Sequence, residues 1–283
     1  MKNLLIGGVD LYDWSQVSTW VRSIRETGFN DDIVILSYRL KNQEYFLEQC
    51  AKENVQVFQI DFDQFGQQIN HSDRGRDTQS HQLRFFHMWQ YLKEFSDNHY
   101  DYVLTTDVRD VFFQKNPFDF LSETISYDFD SHKILASSEG IKYGDESWGM
   151  NNMVKGFGPI VSQYAKDWEI YNVGVMGGRK KEMENMFFKI YNMTVGRYIP
   201  SDQSAYNILV NMTDTEAFIK MDHDLTWVCQ CGTTADPEKS HYLNNLVCLP
   251  PKIIEDKVLN SSGEEYHIVH QWDRVPSLQK LRR

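Results

Sequence analysis

Three short apolar runs in the first 60 residues, separated by two helical stripes, constrain the fold more than any other feature of this chain. Residues 4–9 are apolar without alternation, as a strand covered on both faces requires. Val17, Trp20, Val21 and Ile24 then recur at i, i+3, i+4 and i+7, the stripe of an amphipathic helix, and Gly28 and Asn30 stop it. A second apolar run (33–36), a helix (44–53) and a third strand (55–60) follow. Strand–helix–strand–helix–strand joins parallel strands by right-handed crossovers, so the spacing predicts an α/β fold with a mostly parallel, Rossmann-like central sheet flanked by helices.

Further along, 61–80 reads as a polar loop containing Arg74 and Arg76. A long helix carries Phe85, Met88, Leu92 and Phe95 on one face, and 102–106 is the next strand. Strands are expected at 134–137 and 173–176, helices at 179–193 and 201–211, and irregular aromatic-rich chain over 139–170. No linker or repeat divides the 283 residues, so a single domain over 1–283 is expected. No apolar run reaches the roughly 18 residues of a spanning helix, and the N-terminal run is too short for a leader, which suggests a cytoplasmic location without a membrane span.

With 29 Lys and Arg against 40 Asp and Glu, the net charge of −11 argues against nucleic-acid binding and against an anionic membrane surface. It also means that a phosphorylated ligand would need a local cationic device. Gly7-Gly8 is followed by Val9-Asp10-Leu11, so the G-x-G-x-x-G dinucleotide fingerprint is absent. Cys50, Cys229, Cys231 and Cys248 are too few for a disulfide scaffold, and the one-residue gap in Cys229-Gln230-Cys231 is too short for a usual zinc site. Four glycosylation sequons, at Asn70, Asn192, Asn211 and Asn260, carry little meaning without a secretory signal.

Ligands of open parallel sheets bind beyond the carboxyl ends of the strands. Asp107-Val108-Arg109-Asp110 stands at such an end, and paired carboxylates there suit Mg²⁺ or Mn²⁺ with a substrate phosphate. Residues three apart on an extended strand lie about 10 Å apart on opposite faces. Both carboxylates reach one ion only if the chain turns at Val108–Arg109, which the reading predicts. The alternative is that Asp110 pairs with an arginine and Asp107 caps the turn. Three later segments favour the metal: Asn172-Val173-Gly174-Val175 before a Gly pair, Asp202-Gln203 with Asn207 opening a helix, and a strand over 267–274 holding His267, His270 and Arg274.

An aspartate strand end running into Asn116-Pro117-Phe118, then Asn172-Val173-Gly174-Val175, then Asp202-Gln203 with Asn207, then a late His with a following basic residue, resembles the GT-A glycosyltransferases. The order is most similar to the glycogenin-like family (glycosyltransferase family 8) and its relatives in algae and large DNA viruses, over roughly residues 3–275. The resemblance implies a GT-A fold, with 1–110 as the nucleotide-binding half and 111–283 as the sugar and acceptor half. It implies that Asp107, Asp110 and His270 hold Mn²⁺ (or Mg²⁺) against the diphosphate of a UDP-sugar. Asp-x-x-Asp replaces the family's Asp-x-Asp, and Arg274 stands where the family has Lys; Asp110 aligns through Asn-Pro-Phe. By the same resemblance Asn172, Asp202 and Gln203 line the sugar pocket, with Asp202 near the anomeric carbon, and Arg84 lies near the phosphates unless it is a surface helix residue. Tyr12 or Trp14 would stack on uracil. Glu139, Trp148 and Asn152 would touch sugar or acceptor, or Trp148 is structural and the polar pair solvated.

The expected activity is therefore transfer of a hexose, glucose as the first guess, from a UDP-sugar to a glycan or protein acceptor with retention of configuration. A homodimer is the family habit. Two readings of other classes stay open: a nucleotidyltransferase on a similar sheet, disfavoured by the acidic, aromatic first loop, and a non-catalytic sugar- or protein-binding module.

Overall fold

The structure, a computed structural model, describes residues 2–60, 73–95, 100–126, 133–197 and 199–282. Strands β1 (Lys2–Val9), β2 (Asp32–Ser37), β3 (Val55–Gln59) and β4 (Tyr100–Thr106) run parallel, in the spatial order β3-β2-β1-β4. Helices α1 (Ser18–Glu26) and α2 (Gln43–Lys52) make the first two crossovers. Helix α3 (Asp73–Gln90) precedes β4.

The alternating strand residues explain the unbroken apolar runs. Leu5, Ile33, Ile35 and Leu104 pack with Trp20, Val21 and Ile24 of α1 on one side of the sheet. Leu4, Ile6, Val34, Leu36 and Val103 pack with Phe85 and Met88 of α3 on the other. Both faces are covered, so neither could carry polar residues.

Beyond β4 the chain enters β5 (Val111–Phe113) and α4 (Pro117–Ser126). The Asn116 side-chain oxygen accepts the Phe118 backbone N–H at 3.1 Å, and Pro117 starts the helix where its missing N–H costs nothing. The sheet continues with β6 (Ile134–Lys142), β7 (Glu169–Arg179) and β8 (Phe218–Met221), in the order β4-β7-β6-β8. Only β7 runs antiparallel to its neighbours. Between them lie α5 (Ser147–Ala165), α6 (Lys180–Thr194) and α7 (Asp202–Ile208). The mostly parallel sheet matches the expectation.

A second, small sheet forms from β5, β9 (Val228–Gln230) and β12 (Ile268–His270), with β12 in the middle. Its register sets His270 beside Val111 on one side and Gln230 on the other. A hairpin of β10 (Lys252–Ile254) and β11 (Lys257–Leu259), and helices α8 (Cys231–Thr234) and α9 (Pro276–Arg282), complete the description.

Three expectations need correction. The span 139–170 is not irregular: β6 runs to Lys142 and α5 fills Ser147–Ala165, its start fixed by Glu146, whose carboxylate accepts the Trp148 and Gly149 N–H groups. Gly158, at φ +84°, breaks the helical path before Pro159, which is why the pattern does not read as one helix. Helix α3 begins at Asp73, so only 61–72 of the expected 61–80 loop lies outside it and outside the described residues. The late strand stops at His270, and Trp272–Arg274 forms a helical turn after Gln271, whose φ is +58°.

The cysteines are all free. Cys229 and Cys231 are buried with their sulfurs 3.6 Å apart. The Asn260 side chain is buried and donates to the Asp224 carbonyl, which leaves that sequon inaccessible. No helix among the described residues is long and apolar enough to cross a membrane.

Candidate active site

A cleft of about 790 Å³ opens at the carboxyl ends of β1 and β4. Its chemistry begins where β4 ends. The Asp107 N–H donates to the Gly174 carbonyl at 2.7 Å, and the chain then turns through Val108–Asp110 into β5. That turn brings the two carboxylates to one side. The small sheet delivers the third group: oxygen and nitrogen atoms of Asp107, Asp110 and His270 all lie within 4.8 Å of one another. His270 Nε2 is 3.4 Å from Asp107 Oδ2 and 3.8 Å from Asp110 Oδ1.

Three observations fit this trio to a divalent cation. Oxygen carboxylates with one imidazole are a donor set suited to Mn²⁺. His270 is 1% exposed, and its Nε2 is buried without a hydrogen-bond partner. Its Nδ1–H donates to Gln230 Oε1 at 2.7 Å, which leaves the Nε2 lone pair facing the carboxylates, as a metal ligand needs. Finally, Gly174 forms a cradle: a Cβ there would sit 2.6 Å from Asp107 Oδ2 and 2.9 Å from the His270 ring.

Charge is tightly paired around the trio. Arg84, buried on α3, places Nη1 on Asp107 Oδ1 and Nη2 3.3 Å from Asp202 Oδ2. Burial would raise the Asp107 carboxyl, but Arg84 and then His270 outweigh it and hold Asp107 well below the usual range. Asp110 lacks such a partner: burial pushes its carboxyl up, with Asp107 adding to the shift against the pull of His270. Burial alone would lower His270, yet the two aspartates raise it.

Asn172, on β7, donates to Glu139 Oε1 at 2.7 Å and accepts the Gly174 N–H at 2.6 Å. Gln203, at the start of α7, donates to the same Glu139 oxygen at 2.8 Å. Glu139 is buried, and burial raises its carboxyl despite these two donors. Asn207 instead bonds the Tyr171 backbone and locks α7 to β7.

The structure thus gathers Tyr12, Arg84, Asp107, Asp110, Asn172, Asp202, Gln203, His270 and Arg274 around one cleft. Arg84 is not a surface residue; it bridges two carboxylates. Arg274 is exposed at the lip beside Asp273. His267 lies elsewhere, bonding the Thr226 carbonyl at 2.9 Å and packing on Phe120. Trp14 is a core residue edge-on to Phe46, not a stacking platform. Asn152 does not line the cleft, whereas Trp148 does, and at 57% exposure it is not structural.

Sequence reasoning missed Gln230. It is wholly buried, orients His270, and donates to Ser137 Oγ at 3.1 Å. Its flanking cysteines drew attention to a zinc reading instead. A glutamine one residue from a helix start has no motif of its own, so only the β9–β12 register reveals it.

No curated protein matches the chain in sequence. Among the solved structures that share its fold are two of LgtC. One is galactosyltransferase LgtC in complex with donor and acceptor sugar analogs, with a TM-score of 0.52 and 12% identity over 94% of this chain and 86% of that one. The other is an active-site mutant of LgtC, with a TM-score of 0.51 and 11% identity over the same shares. Residues 44–236 match a family defined across sequences, so with a GT-A fold and a carboxylate–imidazole cluster at its strand ends, the chain belongs to the nucleotide-diphospho-sugar transferases.

Proposed function

We propose that this protein is a Mn²⁺-dependent hexosyltransferase of glycogenin-like character, moving glucose from UDP-glucose to a glycan or protein hydroxyl with retention of configuration. The observation that carries the reading is the orphaned His270 Nε2, aimed at Asp107 and Asp110 over a glycine no side chain could replace. Galactose is the second donor to test, because the LgtC structure is titled as a galactosyltransferase.

In the reaction the bond from the anomeric carbon to the diphosphate oxygen breaks, the acceptor oxygen bonds to that carbon, and the acceptor proton is released with UDP. A divalent cation on Asp107, Asp110 and His270 would stabilise the negative charge of the departing diphosphate. The chain's own residues do the rest. Arg274, at the lip, offers a guanidinium to the phosphates. Tyr12 lines the same end, near Arg109, Asp107, Asp110 and Arg84, where it would stack on the base. Arg84 bridges Asp107 and Asp202 and holds both side chains in place, which preorganises the site. Asn172 and Gln203 are held in place by Glu139 where sugar hydroxyls would bond. Asp202 lies at the start of α7, near the anomeric carbon, and shields its back face.

The test is a hydrolysis panel of UDP-glucose, UDP-galactose, UDP-N-acetylglucosamine and GDP-mannose with MnCl₂, read by UDP or GDP release. Release from UDP-glucose that EDTA abolishes and Mn²⁺ restores is expected. No release from any donor, and no Mn²⁺-dependent UDP binding in calorimetry, refutes the reading. Proton NMR of the early product then reads the configuration: a β-linked product from the α-linked donor overturns retention.

A further inference from the structure

The cleft has two chemically different ends. Asp107, Asp110, Arg84 and Arg109 are the charged neighbours of Tyr12, which marks the nucleotide end. Glu139 acts on His270 and is acted on by Glu146 and Lys239, so it links the trio to the part of the cleft lined by Glu146, Lys239 and Tyr242, which is the other end. At that other end stands Trp148, on the first turn of α5.

Its backbone is fixed while its ring is bare. The Trp148 N–H donates to Glu146 Oε1 at 3.2 Å, and the same carboxylate oxygen accepts the buried Tyr242 hydroxyl at 2.8 Å. Among the described residues, the indole makes no hydrogen bond and packs on no other ring. Among the described residues it is the one exposed Trp, Tyr or Phe on the cleft wall. An aromatic face left in water at a rigid position loses free energy unless something covers it. Lys239, whose ammonium is 5.7 Å from the Tyr242 ring centre, lines the same cleft.

A flat apolar face with a cationic donor in the same cleft suits a pyranose. A pyranose ring carries axial C–H groups on one face and hydroxyls around its edge. We propose that Trp148 is the acceptor platform, and that the acceptor is a saccharide whose terminal ring stacks on the indole while its hydroxyls meet Lys239. This rests on the transferase reading and narrows it, since a glycan is chosen over a protein hydroxyl.

The experiment is saturation-transfer NMR of wild type, Trp148→Ala and Trp148→Phe, in UDP and MnCl₂, with maltotriose, cellotriose, lactose and α-mannobiose as probes. At least one saccharide should bind wild type, lose more than ten-fold in affinity in Trp148→Ala and recover most of it in Trp148→Phe. With UDP-glucose, the ratio of transfer onto that sugar to hydrolysis should fall by the same factor in Trp148→Ala. Melting temperatures within about 2 °C of wild type separate a lost platform from a lost fold. Equal binding by wild type and Trp148→Ala overturns the proposal. So does the absence of any saccharide signal, with or without transfer to a serine- or tyrosine-bearing peptide. Trp148-dependent sugar binding without any donor hydrolysis keeps the platform and discards the transferase instead.

Discussion

The two ends of the cleft are held by different means. Around the aspartate–histidine trio the groups are cross-bonded: the buried Arg84 grips Asp107 and Asp202, and Gln230 grips the buried His270. At the end proposed for the acceptor a buried carboxylate, Glu146, holds the backbone while the Trp148 ring is exposed and Lys239 is half-buried. Rigid burial suits a fixed diphosphate, whose charge must meet preset partners. Exposed rings suit an acceptor that arrives, is glycosylated and leaves.

If the nucleotide end is this tightly preset, breaking it should cost most. Asp110→Ala should abolish Mn²⁺-dependent UDP binding, with affinity in calorimetry falling more than about 100-fold while the unfolding transition survives. Unchanged affinity would remove Asp110 from the site and dissolve the contrast.

Acid should loosen the same end next. His87 lies 2.9 Å from the cleft-lining Tyr38 hydroxyl, and His223 accepts the Gln230 N–H at 3.2 Å. Burial lowers each ring from 6.5 to about 4. The unfolded chain therefore binds more protons between these values, and stability falls as pH drops from about 6.5 toward 4. Between pH 7 and pH 5 the loss should be about 2 kcal/mol per histidine, read as a lower urea midpoint. His87→Gln and His223→Gln together should flatten that slope.

A smaller effect is expected at Gln230→Leu, which removes the acceptor that orients His270. Manganese affinity, read by electron paramagnetic resonance without any substrate, should weaken by roughly 10- to 100-fold. Gln230→Glu should restore most of it, whereas a loss equal in both variants points to damaged packing. The acceptor end should respond least: Tyr242→Phe removes one of three bonds to Glu146 and should cost about 1 kcal/mol in urea unfolding.

What the sequence makes legible follows the same division. Doubly covered strands leave apolar runs, so β1 and β2 are visible from residues such as Leu4, Leu5 and Ile6 alone, while the edge strand β3 shows as β-branched alternation. Asp107 and Asp110 are visible too, because a strand end and an Asn-Pro-Phe exit frame them. The small sheet is not: three-residue strands such as Val228–Gln230 leave no periodicity, yet its register makes Gln230 the partner of His270. Burial of single side chains is equally hidden. Arg84 and Trp148 are ordinary helix residues until neighbours 23 or more positions away bury one, and none covers the other.

The reversed direction of β7 has a last consequence. Thr106 pairs with Val175, the Asp107 N–H meets the Gly174 carbonyl, and Asn172 lies two residues further along. One strand therefore sets the spacing between the Asn172 side chain and the aspartate–histidine trio, and inserting or deleting a single residue between Asn172 and Gly174 would put the two out of step.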